Sequence, residues 1–154
     1  MAAATRALYY LLNTRTLGLR YARCTKRLHG YSDSDWGVKH SISGWVFIMS
    51  RAAISWGSKR QTSVALSSCE AEIMAASEAA KEALYLGNMA SELSVPGADQ
   101  PLELGVDNEA ARNLSYNPER HQRPKHIAPR HFFVREAVEH LGMSVPHVNT
   151  SDNT

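Results

Sequence analysis

The sequence contains one long helical segment, residues 67–93, whose small apolar face carries a single acid. At about 100° per residue, the polar side chains form one sector: Glu70, Ser77, Glu78, Lys81, Glu82 and Asn88. Glu72 lies on the opposite side, with these alanines: Ala76, Ala79, Ala80, Ala83 and Ala90. A carboxylate on an apolar face is costly unless it is paired or binds a metal. Glu72 is therefore a functional group aimed across a sheet, a side chain reaching past the alanines to water, or a sign of a misplaced helix boundary.

Composition limits the classes of protein that this chain can belong to. Its 154 residues are 44% hydrophobic, which predicts one compact domain with its own core. Two cysteines are too few for a disulfide framework and favour a reducing, intracellular setting. No apolar run approaches the roughly 18 residues of a membrane span.

The net charge of +2 is unevenly distributed. The first thirty residues hold six Arg or Lys and no acid, leaving 11 basic and 15 acidic side chains in the remainder. On composition alone, residues 1–27 fit either a mitochondrial transit peptide or the helix of a neighbouring domain in a longer polypeptide.

Periodicity and breaker residues predict the order of the elements. The predicted strands are residues 28–36, 43–50, 52–58, 102–107 and 143–150. The predicted helices are residues 67–93, 108–116 and 132–141. This order predicts an α/β fold with a mixed sheet, an antiparallel start and helices on the faces of the sheet.

Acids at strand ends, and on a helix facing them, converge in such sheets. Asp33, Glu72 and Asp107 qualify, although Asp33 alone fits a turn residue and Asp107 alone fits a helix cap. Two carboxylates about 4 Å apart repel by roughly 4 kcal/mol at an effective dielectric near 20, so such a cluster needs cations. Clustered oxygens suit Mg²⁺, and two such ions promote phosphodiester hydrolysis.

Four segments carry a closer resemblance: "GYSDSDW", residues 43–86, "VDNEAARNLSYNPERHQRPKHI" and "RHFFVREAV". They closely resemble the ribonuclease H domain of copia-type retrotransposon Pol polyproteins. The opening "AAATRALYYLLNTRTLGLRY" resembles the segment that joins the reverse transcriptase to that domain. The resemblance therefore assigns residues 1–27 to the tail of the reverse transcriptase connection, and not to a transit peptide. It assigns residues 28–154 to an RNase H-like domain that is truncated at its C-terminus.

The resemblance implies an RNase H-like mixed five-stranded sheet and an endonuclease that cuts the RNA strand of an RNA–DNA hybrid. Asp33, Glu72 and Asp107 fall on the family's catalytic, metal-binding acids. Two Mg²⁺ ions are expected with substrate, and Mn²⁺ as a substitute. The implied partners are the hybrid and the reverse transcriptase and integrase parts of a polyprotein, with no membrane. The implied setting is a cytoplasmic virus-like particle or the nucleus.

The order of the acids argues against the integrase-type relatives of this fold. Those place their catalytic Glu after both Asp residues, whereas Glu72 comes between Asp33 and Asp107. Glu136 or Glu139 is the alternative for that late position.

Further residues are candidates for substrate binding. Ser67, Ser68 and Asn108 lie beside the acids and could reach minor-groove groups of the hybrid. The candidates for binding phosphates are Lys59, Arg60, Arg120, Arg123, Lys125 and Arg130. An ordinary solvated loop is the alternative. The histidines do not match zinc spacing, and His126 is included only because it lies in a "KHI" segment that resembles the family's.

The sequence also departs from the family. The link between Trp36 and Ser43 is shorter, Glu109 replaces a common Gln, and Pro129 is expected to delay the following helix. The family's fourth carboxylate follows a segment like "TSDNT", in which Asp152 matches the upstream acid. Two hypotheses remain: a hybrid nuclease that belongs in a longer Pol chain, and a catalytically inactive remnant that at most binds nucleic acid.

Overall fold

The computed structural model describes residues 2–37, 40–109, 112–113 and 128–148, which include one mixed sheet covered by the helices of residues 68–92 and 128–140. The five strands are β1 His29–Asp35, β2 Ile42–Met49, β3 Ala52–Arg60, β4 Leu102–Val106 and β5 Met143–Ser144. The helices with both ends described are α1 Ala2–Thr14, α2 Ser68–Glu92 and α3 Ala128–His140. Within the described ranges, no helix is long and apolar enough to cross a membrane.

The sheet has the order β3-β2-β1-β4-β5. The first three strands are antiparallel neighbours, β4 runs parallel to β1, and β5 runs parallel to β4. Ser50 and Arg51 join β2 to β3 with φ angles of 55° and 72°, the positive-φ turn geometry that matches the twist of paired strands. The predicted mixed sheet with an antiparallel start is confirmed.

The bounds of α2 follow from its caps. Ser67 is the N-cap, and its Oγ accepts a hydrogen bond from the Glu70 N–H at 3.2 Å. The Glu70 carboxylate reaches back to accept the Leu66 N–H at 2.6 Å, a reciprocal arrangement close to a capping box. Leu93 is the C-cap, so the helix and its caps cover the predicted residues 67–93.

The core lies between the sheet and the inner faces of α2 and α3. Its buried members are Phe47, Ala76, Ala79, Ala80, Ala83, Leu86, Leu102, Leu104, Val106, Val134, Ala137, Met143 and Val145. The alanines of α2 let the helix axis approach the sheet closely, because a methyl group fills little space between them. The large Phe47 side chain fits only because Gly30 lies beside it, and a Cβ on Gly30 would be 2.3 Å from the Phe47 ring.

Helix α3 differs from the sequence prediction. It begins at Ala128, before the predicted start at Phe132, and it ends at His140. The expectation that Pro129 delays the helix is wrong. Proline in the first helical turn lacks only an N–H that has no partner within the helix, and its fixed φ suits that position.

Two other predicted elements are described in part. Of the predicted helix 108–116, residues 109 and 112–113 are helical, and the Arg112 N–H donates to the Asn108 carbonyl at 2.9 Å. The predicted last strand begins as β5, and a further parallel bridge joins His147 to Val106. In these two segments, residues 110–111, 114–116 and 149–150 lie outside the described ranges.

Tyr21 and Ala22 lie against the end of the β2–β3 hairpin that carries its turn. The Ala22 N–H donates to the Ser50 carbonyl and the Tyr21 hydroxyl donates to the Ala53 carbonyl, each at 2.8 Å. Helix α1 exposes more than 60% of each side chain from Leu8 to Leu12. The assignment of residues 1–27 to a reverse transcriptase connection stays a prediction.

We expect Gly30→Ala to lower the free energy of unfolding by about 1–3 kcal/mol, because the added methyl group overlaps the Phe47 ring. Gly18→Ala is the matched control, since a Cβ at Gly18 meets no heavy atom within 4 Å, and we expect a change within about 0.5 kcal/mol. Urea denaturation measures both. Equal stabilities of the two variants would contradict this account of the core.

Candidate active site

Three acids meet at one edge of the sheet. Ser32 of β1 is paired with Val106 of the parallel strand β4, so the residues that follow them, Asp33 and Asp107, lie side by side. Glu72 enters from the second turn of α2. One carboxylate oxygen from each of the three acids lies within 4.8 Å of the others.

The two acids at the start of α2 have different environments. Glu72 is 6% exposed, whereas Glu70 is only half-buried and holds the Leu66 N–H. The prediction that Glu72 lies on the inner face of the helix is therefore confirmed. Its two partners are more open to solvent, since Asp33 is exposed and Asp107 is half-buried.

Ser34 connects β1 to Glu72. Its backbone N–H donates to Asp33 Oδ1 at 2.8 Å and to Glu72 Oε1 at 3.2 Å. Its hydroxyl donates to Glu72 Oε1 at 2.7 Å. Sequence reasoning missed this residue. The signal was present, because side chains alternate along a strand, so Ser34 lies on the same face of β1 as the buried Ser32.

Burial raises the pKa of Glu72 from 4.5 to about 7. The hydrogen bond from the Ser34 hydroxyl opposes this shift, and the negative charges of Asp33 and Asp107 add to it. Burial removes the water that stabilises the ionised carboxylate, and nearby negative charges disfavour the ionised form further. Near neutral pH, Glu72 is therefore divided between its protonated and ionised forms.

The acid cluster fits a hard divalent cation. Glu72 Oε2 is buried and has no hydrogen-bond partner among the described residues, which is a costly state for a carboxylate oxygen. Three carboxylates in one place offer the oxygen ligands that Mg²⁺ prefers, and the half-open edge leaves room for the waters that this ion keeps.

The alternative that Glu136 or Glu139 supplies the catalytic Glu is not supported within the described residues. Glu139 pairs with Arg135 on α3 at 3.5 Å, and Glu136 is exposed on the same helix. The described group that could hold a metal contains Glu72 instead.

The predicted substrate-binding residues fall into three groups. Ser67 caps α2, Ser68 is exposed in its first turn, and Asn108 follows Asp107 directly, so these three lie near the acids. Lys59 and Arg60 end β3, at the same end of the sheet. Arg120, Arg123, Lys125 and His126 lie outside the described residues.

Lys59 already has a partner on α2. Its Nζ lies 3.7 Å from Glu78 Oε2, and Lys81 contacts Glu78 Oε1 at 2.8 Å. The hydrogen bond from Lys81 is the main cause that lowers the pKa of Glu78. Lys59 remains 62% exposed, so its charge is available to a ligand. The roles of all these residues in substrate binding stay predictions.

A cavity of about 280 Å³ lies at the other end of the domain from the acids. Its lining includes Gly87 and Ser91 from the last turns of α2, and Leu102 from the start of β4. This cavity is separate from the acid cluster, in which Asp33 is exposed and Asp107 is half-buried.

No protein-family model matches this sequence, but individual proteins do. The Retrovirus-related Pol polyprotein from transposon RE2 of Arabidopsis thaliana is 34% identical over 155 residues, which cover 97% of this chain and 11% of that protein. The corresponding polyprotein from transposon TNT 1-94 of Nicotiana tabacum is 35% identical over 150 residues, with coverages of 95% and 11%. The chain thus spans about a tenth of the length of these curated relatives.

A shorter match has a different name. Secreted RxLR effector protein 161 of Plasmopara viticola is 47% identical over 89 residues, which cover 54% of this chain and 63% of that protein.

Solved structures share the fold. RNase H1 from Halobacterium salinarum has a TM-score of 0.57 at 17% identity, covering 83% of this chain and 89% of its own. LC11-RNase H1 in complex with an RNA/DNA hybrid has a TM-score of 0.61 at 14% identity, with the same coverages. The CSH mutant of Prototype Foamy Virus Protease-Reverse Transcriptase has a TM-score of 0.60 at 15% identity, covering 88% of this chain and 19% of its own.

The fold is therefore that of the ribonucleases H, and the acid cluster lies at one edge of its sheet. Within that class, the chain is related over nearly its whole length to the retrovirus-related Pol polyproteins of copia-type transposons, as its motifs predicted.

The raised pKa of Glu72 predicts a pH-dependent stability in the absence of metal. Between about pH 4.5 and pH 7 the native protein holds a proton that the unfolded chain has lost, so the free energy of unfolding falls as pH rises. The loss is at most on the order of 3 kcal/mol, and it is complete above about pH 7. Glu72→Gln removes this dependence, so we expect the variant to be the more stable protein at alkaline pH.

Chemical denaturation at several pH values, in EDTA, measures this effect. Glu70→Gln is the matched control from the same helix, and its stability should follow that of the wild type. Parallel curves for the wild type and Glu72→Gln would show that Glu72 is not desolvated.

Proposed function

We propose that the chain is a divalent-metal-dependent endonuclease that cleaves the RNA strand of RNA–DNA hybrids, as part of a longer Pol polyprotein acting in reverse transcription. The observation that carries this proposal is the convergence of Asp33, Glu72 and Asp107 within 4.8 Å of one another where β1 and β4 end. The polyprotein relatives support the context. A hybrid bound to a protein of the same fold supports the substrate.

Asp33, Glu72 and Asp107 would hold the cations. Asp33 and Asp107 are accessible to solvent and can bind an ion and face the substrate together, whereas Glu72 closes the site from the helix side. Bound there, divalent cations supply activation of the attacking water and stabilisation of the leaving oxygen. The side chains themselves must be ionised and correctly oriented, and the Ser34 hydrogen bonds to Glu72 favour the ionised form.

The hybrid would lie across the edge that carries the acids. Ser68 and Asn108 lie next to that edge and would reach the minor groove, whose 2′-hydroxyls distinguish RNA from DNA. Lys59 and Arg60 add positive charge at the end of β3. Binding through such contacts neutralises phosphates and weakens as the salt concentration rises.

The alternative function is a unit that binds nucleic acid without cleaving it. The observation that favours it is the number of acids: three carboxylates form the described cluster, whereas the family resemblance implies a fourth. Asp152 and its neighbours lie outside the described residues. The two functions differ in one measurable outcome, namely cleavage of the RNA strand.

We expect Glu72→Gln to lower hybrid cleavage by on the order of a thousandfold, because it removes one charged ligand and with it several kcal/mol of electrostatic stabilisation of the transition state. Glu70→Gln is the control, since Gln can also fill the capping position, and its rate should stay within about threefold of the wild type. Initial rates on a labelled hybrid measure both variants. Equal losses from the two substitutions would remove Glu72 from the site.

We also expect a uniformly labelled RNA–DNA hybrid to be cut in its RNA strand, while duplex DNA of the same sequence stays intact. Cleavage should stop in excess EDTA, because three acids alone cannot activate the water. Mn²⁺ should support cleavage at least as well as Mg²⁺. Cleavage in EDTA, or of duplex DNA, would contradict the proposed function. Salt-dependent binding without cleavage in either metal would support the alternative.

A further inference from the structure

Ser34 donates hydrogen bonds to two of the three acids. Its backbone N–H lies between Asp33 Oδ1 and Glu72 Oε1, and its hydroxyl donates a second bond to Glu72 Oε1 at 2.7 Å. The two Ser34 groups that donate to Glu72 therefore bind the same carboxylate oxygen, Oε1. The other oxygen, Oε2, is buried and has no hydrogen-bond partner among the described residues.

The surroundings of Glu72 give a physical reason for this contact. A glutamate side chain turns about several bonds, and freezing such a side chain in one orientation costs conformational entropy. Its neighbours on the inner face of α2 include Ala75 and Ala76, whose methyl groups exclude water but donate no hydrogen bond. Packing alone thus does not decide which carboxylate oxygen faces Asp33 and Asp107.

We propose that Ser34 is a positioning residue for the metal site: its hydroxyl holds Glu72 Oε1 and so presents Oε2 to a divalent cation. This inference rests on the proposed function and deepens it. Groups that orient a metal ligand by hydrogen bonds typically change metal affinity by about 10–100-fold when they are removed. Ser34 retains its backbone N–H bond in any variant, so an effect near the lower end is expected.

The fold contains a second serine–glutamate hydrogen bond that serves as a control. It separates an effect on the orientation of a metal ligand from a general effect on the stability of the fold. Ser55 of β3 donates its hydroxyl to Glu82 Oε1 of α2 at 2.6 Å, so it is also a strand serine bound to a glutamate of the same helix. Glu82 is not among the acids of the cluster. Loss of the Ser55 hydroxyl removes a similar strand-to-helix bond and leaves the metal ligands untouched.

The test is a titration of the metal-free protein with Mn²⁺ alone, with the unbound ion followed by electron paramagnetic resonance. At about pH 8.5, above the pKa of about 7 for Glu72, the ligand is ionised in the wild type, so orientation dominates the comparison. We expect Ser34→Ala to raise the Kd for Mn²⁺ about tenfold. Ser34→Thr keeps the hydroxyl and should restore the Kd to within about threefold, and Ser55→Ala should leave it unchanged.

Ser34→Val covers the case in which Ser34→Ala does not fold. Valine suits a strand and shares the branching of threonine but has no hydroxyl, so it should behave like alanine, whereas Ser34→Thr should not. Saturable Mn²⁺ binding that is equal in the wild type, Ser34→Ala and Ser34→Val would overturn the inference and leave the proposed function standing. A wild type that binds no Mn²⁺ would overturn both.

Discussion

Three carboxylates lie within 4.8 Å of one another where β1 and β4 end, and their mutual repulsion opposes the packing of α2 onto the sheet. At about 4 Å and an effective dielectric near 20, each pair of charges costs roughly 4 kcal/mol. The domain tolerates this arrangement because Glu72 holds its proton up to about pH 7 and because Ser34 donates two hydrogen bonds to it. Its position near the N-terminus of α2 favours negative charge as well.

The rest of the fold fixes how deep that carboxylate lies. Alanines on the inner face of α2 bring the helix close to the sheet, and Gly30 makes room for Phe47 beneath it. The cap at Ser67 sets where the helix begins, and so places Glu72 in its second turn. A bulkier residue on the inner face would move the helix outward and carry Glu72 away from Asp33 and Asp107.

The sequence predicted best those features that depend on the periodicity of one helix or on the order of the strands alone. Helical periodicity separated Glu72 from Glu70, and the expectation that acids at strand ends converge in a mixed sheet agrees with the parallel pairing of β1 and β4, which brings Asp33 beside Asp107. It failed on contacts that depend on the depth and rotation of packed elements. Ser34 belongs to that group, since its partner lies 38 residues away on another element. The start of α3 was predicted wrongly for a different reason. Proline disrupts the interior of a helix but suits its first turn, and the residues around Pro129 did not show which of the two applies.

The attachment of the N-terminal residues to the β2–β3 turn has a consequence for how a longer chain is arranged. Tyr21 and Ala22 bind at the hairpin end of the sheet, where β1 begins, whereas the acids lie where β1 ends. Six residue steps along β2, from Ser50 at the turn to Gly44 opposite Asp33, separate the two, a distance of roughly 20 Å. Any unit joined through α1 is thus tethered at the end of the sheet farthest from the acids. A duplex held by both would have to cover that separation, about six base pairs of B-form DNA, before its scissile bond reached the site.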